Sequence, residues 1–121
     1  MSKLILTVDD SVSMRQLIRL TLDGAGYQVE EAGDGAEALR IAQSIEAMMV
    51  ITDLNMPVMD GLSLIVELRK LPRYRGVPIV FLTTASDQEK KRQARLAGAT
   101  GWITKPFKQE QLLAVVTKVI G

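Results

Sequence analysis

The stretch Leu4-Ile5-Leu6-Thr7-Val8-Asp9-Asp10 decides the fold. Five uncharged residues stop abruptly at two adjacent carboxylates. An apolar run of this length suits a strand covered on both faces, as in a parallel sheet. Residues 48–52 have the same form and lead to Asp53, and residues 79–82 lead to Thr83. Gly101-Trp102-Ile103-Thr104 is shorter and leads to Lys105, while Gln28-Val29-Glu30-Glu31-Ala32 is mixed with charge.

Helical stripes fill the intervals. Met14, Leu17, Ile18, Leu22 and Ala25 recur at helical spacing behind the possible caps Ser11 and Ser13, and the helix stops near Gly24 and Gly26. Ala38, Leu39, Ala42 and Ile45 follow Asp34-Gly35; Leu64, Ile65, Leu68 and Leu71 end at Pro72. The last stripe is Leu112, Val115, Val116, Val119 and Ile120. The fourth helix differs. Between Ser86 and Ala97 only Ala94, Leu96 and Ala97 are apolar, and Lys90, Lys91, Arg92 and Arg95 load it with positive charge. Such a helix buries little and docks weakly.

Five alternations predict an α/β fold: a doubly wound (βα)5 three-layer sandwich of the flavodoxin-like kind. The continuous apolar runs belong in the middle of the sheet and the two polar ones at its edges. With right-handed crossovers the strand order is 2-1-3-4-5. Ligands in such sheets bind at the carboxyl ends of the strands. Asp9, Asp10, Asp53, Thr83 and Lys105 therefore converge, though distant along the chain. Crowded carboxylates repel, so a divalent cation is expected among them. That combination points to metal-assisted phosphoryl chemistry.

Composition narrows the class. The 121 residues suffice for one domain, 1–121, with 47% hydrophobic residues and a net charge of +1. Nothing in that balance calls for nucleic acid or a membrane. Cysteine and histidine are both absent, which removes disulfides, thiolate or histidine zinc sites and histidine-activated nucleophiles. No signal peptide and no bilayer-spanning run is evident, so a cytoplasmic location is expected.

Four motifs in order, Val8-Asp9-Asp10-Ser11, Asp53 to Gly61, Thr83-Thr84-Ala85 and Lys105-Pro106-Phe107, resemble the receiver domains of two-component response regulators. The resemblance covers essentially the whole chain and is strongest to stand-alone chemotaxis receivers, including Met14-Arg15. It implies that Asp53 accepts a phosphoryl group from a sensor histidine kinase. It also implies that Mg2+ is held by Asp10 directly, Asp9 largely through water, Asp53, and the backbone carbonyl of Asn55. Thr83 and Lys105 would meet the phosphoryl oxygens, and the Lys105-Pro106 peptide would be cis. Trp102 stands where the family has a switching aromatic, and Lys91, Arg95 and Trp102 would face a partner on the fourth helix, fifth strand and fifth helix. An acidic segment of a flagellar motor switch protein is the expected target, for a monomeric signalling protein rather than an enzyme. Beside the site, Asn55, Thr84 and Ala85 would tune the phosphate's lifetime, with Thr84 shielding it and Ala85 unable to orient water. A separate phosphatase would then end the signal.

Other readings fare worse. Asp10 alone could be a helix cap, Asp60-Gly61 suggests turn and cap chemistry, and Thr52, Thr104, Met56 and Met59 suit strand and packing roles. A dehalogenase-type phosphohydrolase needs an acid at position 55, where asparagine stands. A flavin carrier would be repelled by Asp9-Asp10 and would want more than 4% aromatics. A phosphorelay shuttle that passes phosphate to a histidine phosphotransfer protein remains the alternative within the family.

Overall fold

The computed structural model describes residues 3–121. Its parallel strands are β1 (Leu4–Val8), β2 (Gln28–Ala32), β3 (Met49–Asp53), β4 (Ile79–Thr84) and β5 (Gly101–Lys105). The helices α1 (Val12–Gly24), α2 (Gly35–Ser44), α3 (Gly61–Lys70), α4 (Gln88–Ala97) and α5 (Gln109–Ile120) connect or follow them. The strand order is β2-β1-β3-β4-β5, as the distribution of apolar runs required.

Side-chain alternation sorts the helices onto the two faces. Leu6, Val50, Ile79 and Phe81 point to one side, against Ala38 and Ala42 of α2, Leu64, Ile65 and Leu68 of α3, and Ala94 of α4. Ile5, Met49, Ile51, Val80 and Leu82 point to the other, against Ile18 and Leu22 of α1 and Leu112 and Val116 of α5. Three boundaries differ from the sequence expectation. Asp53, Thr83 and Lys105 are strand residues and do not follow the strands, because ladder pairing continues to Asp53↔Leu82 and Thr84↔Lys105. Ser11 caps α1 by accepting a hydrogen bond from the Met14 amide at 3.2 Å, so Asp10 is left without a capping role.

Pro72 stops α3 but also opens a short 3-10 turn, Pro72–Tyr74, that sequence periodicity did not reveal. Tyr74 is wholly buried there, and its hydroxyl donates to the carbonyls of Ala42 at 2.7 Å and Ile45 at 3.0 Å. As its composition suggested, α4 buries a single residue, Ala94. Arg69 of α3 adds what packing lacks. Its guanidinium donates twice to the Gly98 carbonyl, at 2.8 and 3.0 Å, just past the end of α4.

Candidate functional site

The β1–α1 turn is built from its own polar atoms. The Asp9 amide donates to the Ala32 carbonyl at 3.1 Å, and the Ser11 amide donates to Asp9 Oδ1 at 2.9 Å. Arg15 of α1 donates to the Asp9 carbonyl and pairs with Glu31 of β2 at 3.2 Å, fixing the turn from outside. Asp9 is thereby held 1% exposed, while Asp10 faces solvent.

Asp53 closes β3 and is 6% exposed. Its Oδ1 accepts the Leu54 amide at 2.8 Å, and its Oδ2 lies 3.1 Å from Lys105 Nζ. The same ammonium is 3.8 Å from Asp9 Oδ2. Lys105 comes from the edge strand β5, immediately before a cis Lys105–Pro106 peptide. A single cation thus faces two buried carboxylates.

The loop after β3 leaves no room for substitution at its far end. A Cβ on Gly61 would fall 2.0 Å from the carbonyl oxygen of Asp53, so only glycine lets α3 start against the backbone of that residue. Asp60 caps α3 by accepting the Ser63 amide at 2.8 Å, as expected, but Gly61 does more than turn the chain. Gly35 meets a similar demand, with its would-be Cβ 2.6 Å from the Met59 carbonyl. Within this loop Val58 adopts a left-handed φ of 66°, unusual for a β-branched residue, and is exposed. Met56 and Met59 pack against the core, in line with the packing role expected of them.

Thr83 is buried at the end of β4, next to β3. Its hydroxyl has only a long 3.4 Å contact to the Thr84 carbonyl. Thr84 and Ala85 are exposed, and the Thr84 hydroxyl is 3.3 Å from that of Ser86. Asn55 is exposed beyond β3, where Lys90 of α4 donates to its Oδ1. Trp102 lies apart from the hollow, half-exposed on β5. It stacks on Phe81 with ring centroids 6.1 Å apart, and Lys91 and Arg95 stand 5.4 and 5.6 Å from its centroid.

Electrostatics at the hollow are unfavourable by themselves. Burial pushes the Asp9 carboxyl above its ordinary value, and the neighbouring Asp53 and Asp10 push the same way. The Ser11 amide and Lys105 oppose them. Asp9 Oδ2 is buried without a hydrogen-bond partner. Carboxylate oxygens of Asp9, Asp10 and Asp53 all lie within 4.8 Å of one another. An orphaned oxygen among three crowded carboxylates fits a hard divalent cation, and an all-oxygen donor set with an open side suits Mg2+.

The model of the response regulator receiver domain matches residues 5–117. The chain belongs to that family. As a receiver it is 37% identical over 119 residues to the chemotaxis protein CheY1 of Helicobacter pylori, covering 97% of this chain and 96% of that one. The structure of CheY4, a chemotaxis response regulator of Vibrio cholerae, superposes with a TM-score of 0.94 at 44% identity, covering 99% and 100% of the two chains. A third relative is the receiver domain of the sensor histidine kinase PA1611 from Pseudomonas aeruginosa PAO1, with a TM-score of 0.92 at 31% identity and coverage of 100% and 99%. That structure has a magnesium ion coordinated in the active site cleft.

The receiver fold brings Asp9, Asp10, Asp53 and Lys105 to one hollow, sets Thr83 on the adjoining strand end, and gathers Lys91, Arg95 and Trp102 on another face. Three residues at the site escaped the sequence reading. In the sequence Arg15 stands out only as part of a pair, Gly61 only as a turn residue, and Lys90 only as one of four charges on a solvated helix. Nothing in helical periodicity marks Lys90, because its contact is with a residue 35 positions away.

Proposed function

We propose that this receiver is a phosphorylation-controlled signalling protein whose phosphoacceptor is Asp53. The observation that carries the reading is the pairing of a nearly buried Asp53 with Lys105 beside an orphaned Asp9 oxygen. A buried carboxylate is costly unless chemistry requires it. In the transfer, an oxygen of Asp53 forms a bond to phosphorus as the bond from phosphorus to the kinase histidine nitrogen breaks, and the imidazole leaves with its electron pair. The Leu54 amide fixes Asp53 Oδ1 and so orients the carboxylate for that attack. Lys105 turns from the carboxylate to the phosphoryl oxygens as a point charge. The Thr83 hydroxyl, weakly engaged in the present structure, donates to another of those oxygens. Asp9, Asp10, Asp53 and the Asn55 carbonyl would hold Mg2+, which supplies neutralisation of the charge on the transferring group.

Likeness over full length to chemotaxis receivers favours chemotactic output over a phosphorelay shuttle. On that reading the protein works as a cytoplasmic monomer between a sensor histidine kinase and a flagellar motor switch protein. The described residues include no helix long and apolar enough to cross a membrane. The partner face is Lys91, Arg95 and Trp102, where two cations frame one aromatic and suit an acidic segment. Thr84 shields the acyl phosphate and Ala85 offers nothing to orient water, so decay is slow without a phosphatase.

The decisive experiment is intact-mass measurement after incubation with acetyl phosphate and Mg2+. The protein gains the mass of one phosphoryl group, and Asp53→Asn gains none. An unchanged mass in the intact protein, under conditions that preserve an acyl phosphate, would overturn the reading. Trp102 fluorescence should also respond to beryllofluoride, which imitates the phosphoryl group.

A further inference from the structure

The contact between Lys90 and Asn55 has no role in the scheme above. Lys90 lies in the first turns of α4, and Asn55 lies two residues beyond Asp53. Strands β3 and β4 are neighbours, with Asp53 opposite Leu82 and Thr83 one residue further on. A side chain that leaves α4, beyond β4, and bonds to the loop beyond β3 therefore arches over the gap between Asp53 and Thr83. Solvent lies outside this arch, since Asn55, Thr84, Ala85 and Lys90 are all exposed while Asp53 and Thr83 are buried beneath.

We infer that Lys90 is a positioning residue that bridges α4 to Asn55 across the mouth of the phosphoacceptor hollow and prolongs the life of the acyl phosphate on Asp53. The inference rests on the phosphoacceptor role proposed for Asp53. Hydrolysis requires a water to attack phosphorus as the bond to the Asp53 oxygen breaks, releasing inorganic phosphate and the free carboxylate. That water comes from solvent, and the bridge narrows its approach on the side of Asn55. An ammonium has three donors and no lone pair, so it cannot take a proton from the attacking water. Lys90 therefore covers the site without activating its attacker. It also restrains the Asn55 side chain, an amide two residues beyond the acceptor that could hold a water.

The bridge also gives α4 a second anchor. The carboxyl end of the helix is tied by Arg69 to Gly98, whereas Asp87 at its start makes no capping hydrogen bond. Lys90 supplies the fixed point at that loose end. Lys91 and Arg95, which stand over Trp102, belong to the same helix. Release of Lys90 is thus felt at the indole.

The test compares the native protein with Lys90→Ala and Lys90→Arg, each phosphorylated with acetyl phosphate and Mg2+ and then freed of donor. Decay of the adduct is followed by intact mass, with Trp102 emission recorded in parallel. Lys90→Ala is expected to lose its phosphate at least threefold faster, with Trp102 emission altered, and Lys90→Arg to stay within twofold of native. Unchanged urea midpoints are expected because Lys90 is exposed, and they separate positioning from folding. A native-like decay rate in Lys90→Ala, or a fast one in Lys90→Arg, overturns the bridge while leaving the phosphoacceptor intact. Absence of any adduct on the native protein removes the phosphoacceptor reading and the bridge with it.

Discussion

Two regions of this receiver draw charge away from water, partly at Arg69 and almost wholly at Asp9 and Asp53, and they treat it in opposite ways. Around Arg69 the guanidinium faces only carbonyl dipoles: Gly98 twice, then Tyr74 at 2.6 Å, Val77 at 2.7 Å and Arg75 at 3.3 Å. Desolvation lowers its pKa, yet its donors are well used. In the hollow at the ends of β1 and β3, three carboxylates crowd one another and an oxygen of Asp9 is left without a hydrogen bond. The first region holds α3, α4 and the chain before β4 together. The second leaves its polar atoms in want of a ligand. A fully satisfied buried charge is structural, and an under-satisfied one is a place for chemistry.

Arg69→Met should be the costliest change, because it keeps the aliphatic stem but leaves several carbonyls unpaired. A loss of about 3 kcal/mol is expected, since hydrogen bonds to a charged group are the strong ones. Urea denaturation measures it, and phosphoryl uptake by the folded fraction should persist. A loss below about 1 kcal/mol would mean that water satisfies those carbonyls equally well, and the contrast between the two regions would fail.

Gly61→Ala comes next. The added methyl meets the Asp53 carbonyl at 2.0 Å, which forces the start of α3 away from β3. Overpacking of this kind costs about 2 kcal/mol. Unlike the change at Arg69, it should also slow phosphoryl uptake, because the displaced backbone carries the acceptor. If uptake kept its native rate, the backbone of Asp53 would not be what Gly61 protects.

Asp9→Asn should act in the reverse direction and stabilise the metal-free protein by about 1 kcal/mol. Burial holds the folded Asp9 carboxyl above its ordinary 3.8. Between 3.8 and the raised value the folded protein keeps a proton that the unfolded chain has lost. Stability contributed by Asp9 is therefore greatest in acid and falls as pH rises through that window. The advantage of Asp9→Asn should accordingly vanish below 3.8 and be complete above the folded value. Denaturation series without Mg2+ at several pH values check the sign; an advantage that did not grow with pH would show that Asp9 is not under strain. The same change should weaken Mg2+ binding.

How much of this could be read from the chain depends on the range of each interaction. Strand order and the convergence of Asp9, Asp10, Asp53 and Lys105 follow from local patterns, because an apolar run fixes a strand and its end fixes a position. Sheet pairing then does the long-range work without further information. Tyr74 was missed because its partners, Ala42 and Ile45, are about 30 residues away and its own segment has no period. Nothing in the sequence singles out Arg69, and Gly61 reads only as a turn residue. In each case the deciding atom is a backbone carbonyl supplied by another segment, and no residue type advertises a carbonyl.

The smallest effect expected is at the surface, and it sharpens the contrast by removing burial from the comparison. Lys91 and Arg95 also lack a carboxylate partner among the described residues and rest against the face of Trp102. Both remain in contact with water, which solvates their charge at no structural cost. Each cation should then contribute only about 0.5 kcal/mol through the ring's quadrupole. Lys91→Ala and Arg95→Ala, singly and together in a double-mutant cycle, should move the urea midpoint barely while shifting Trp102 emission. They should also weaken an acidic partner more at low salt than at high salt, since exposed charges are screened. A stability loss comparable to that of Arg69→Met would show that charge alone, without burial, sets the energy, and the distinction between the two buried regions would lose its basis.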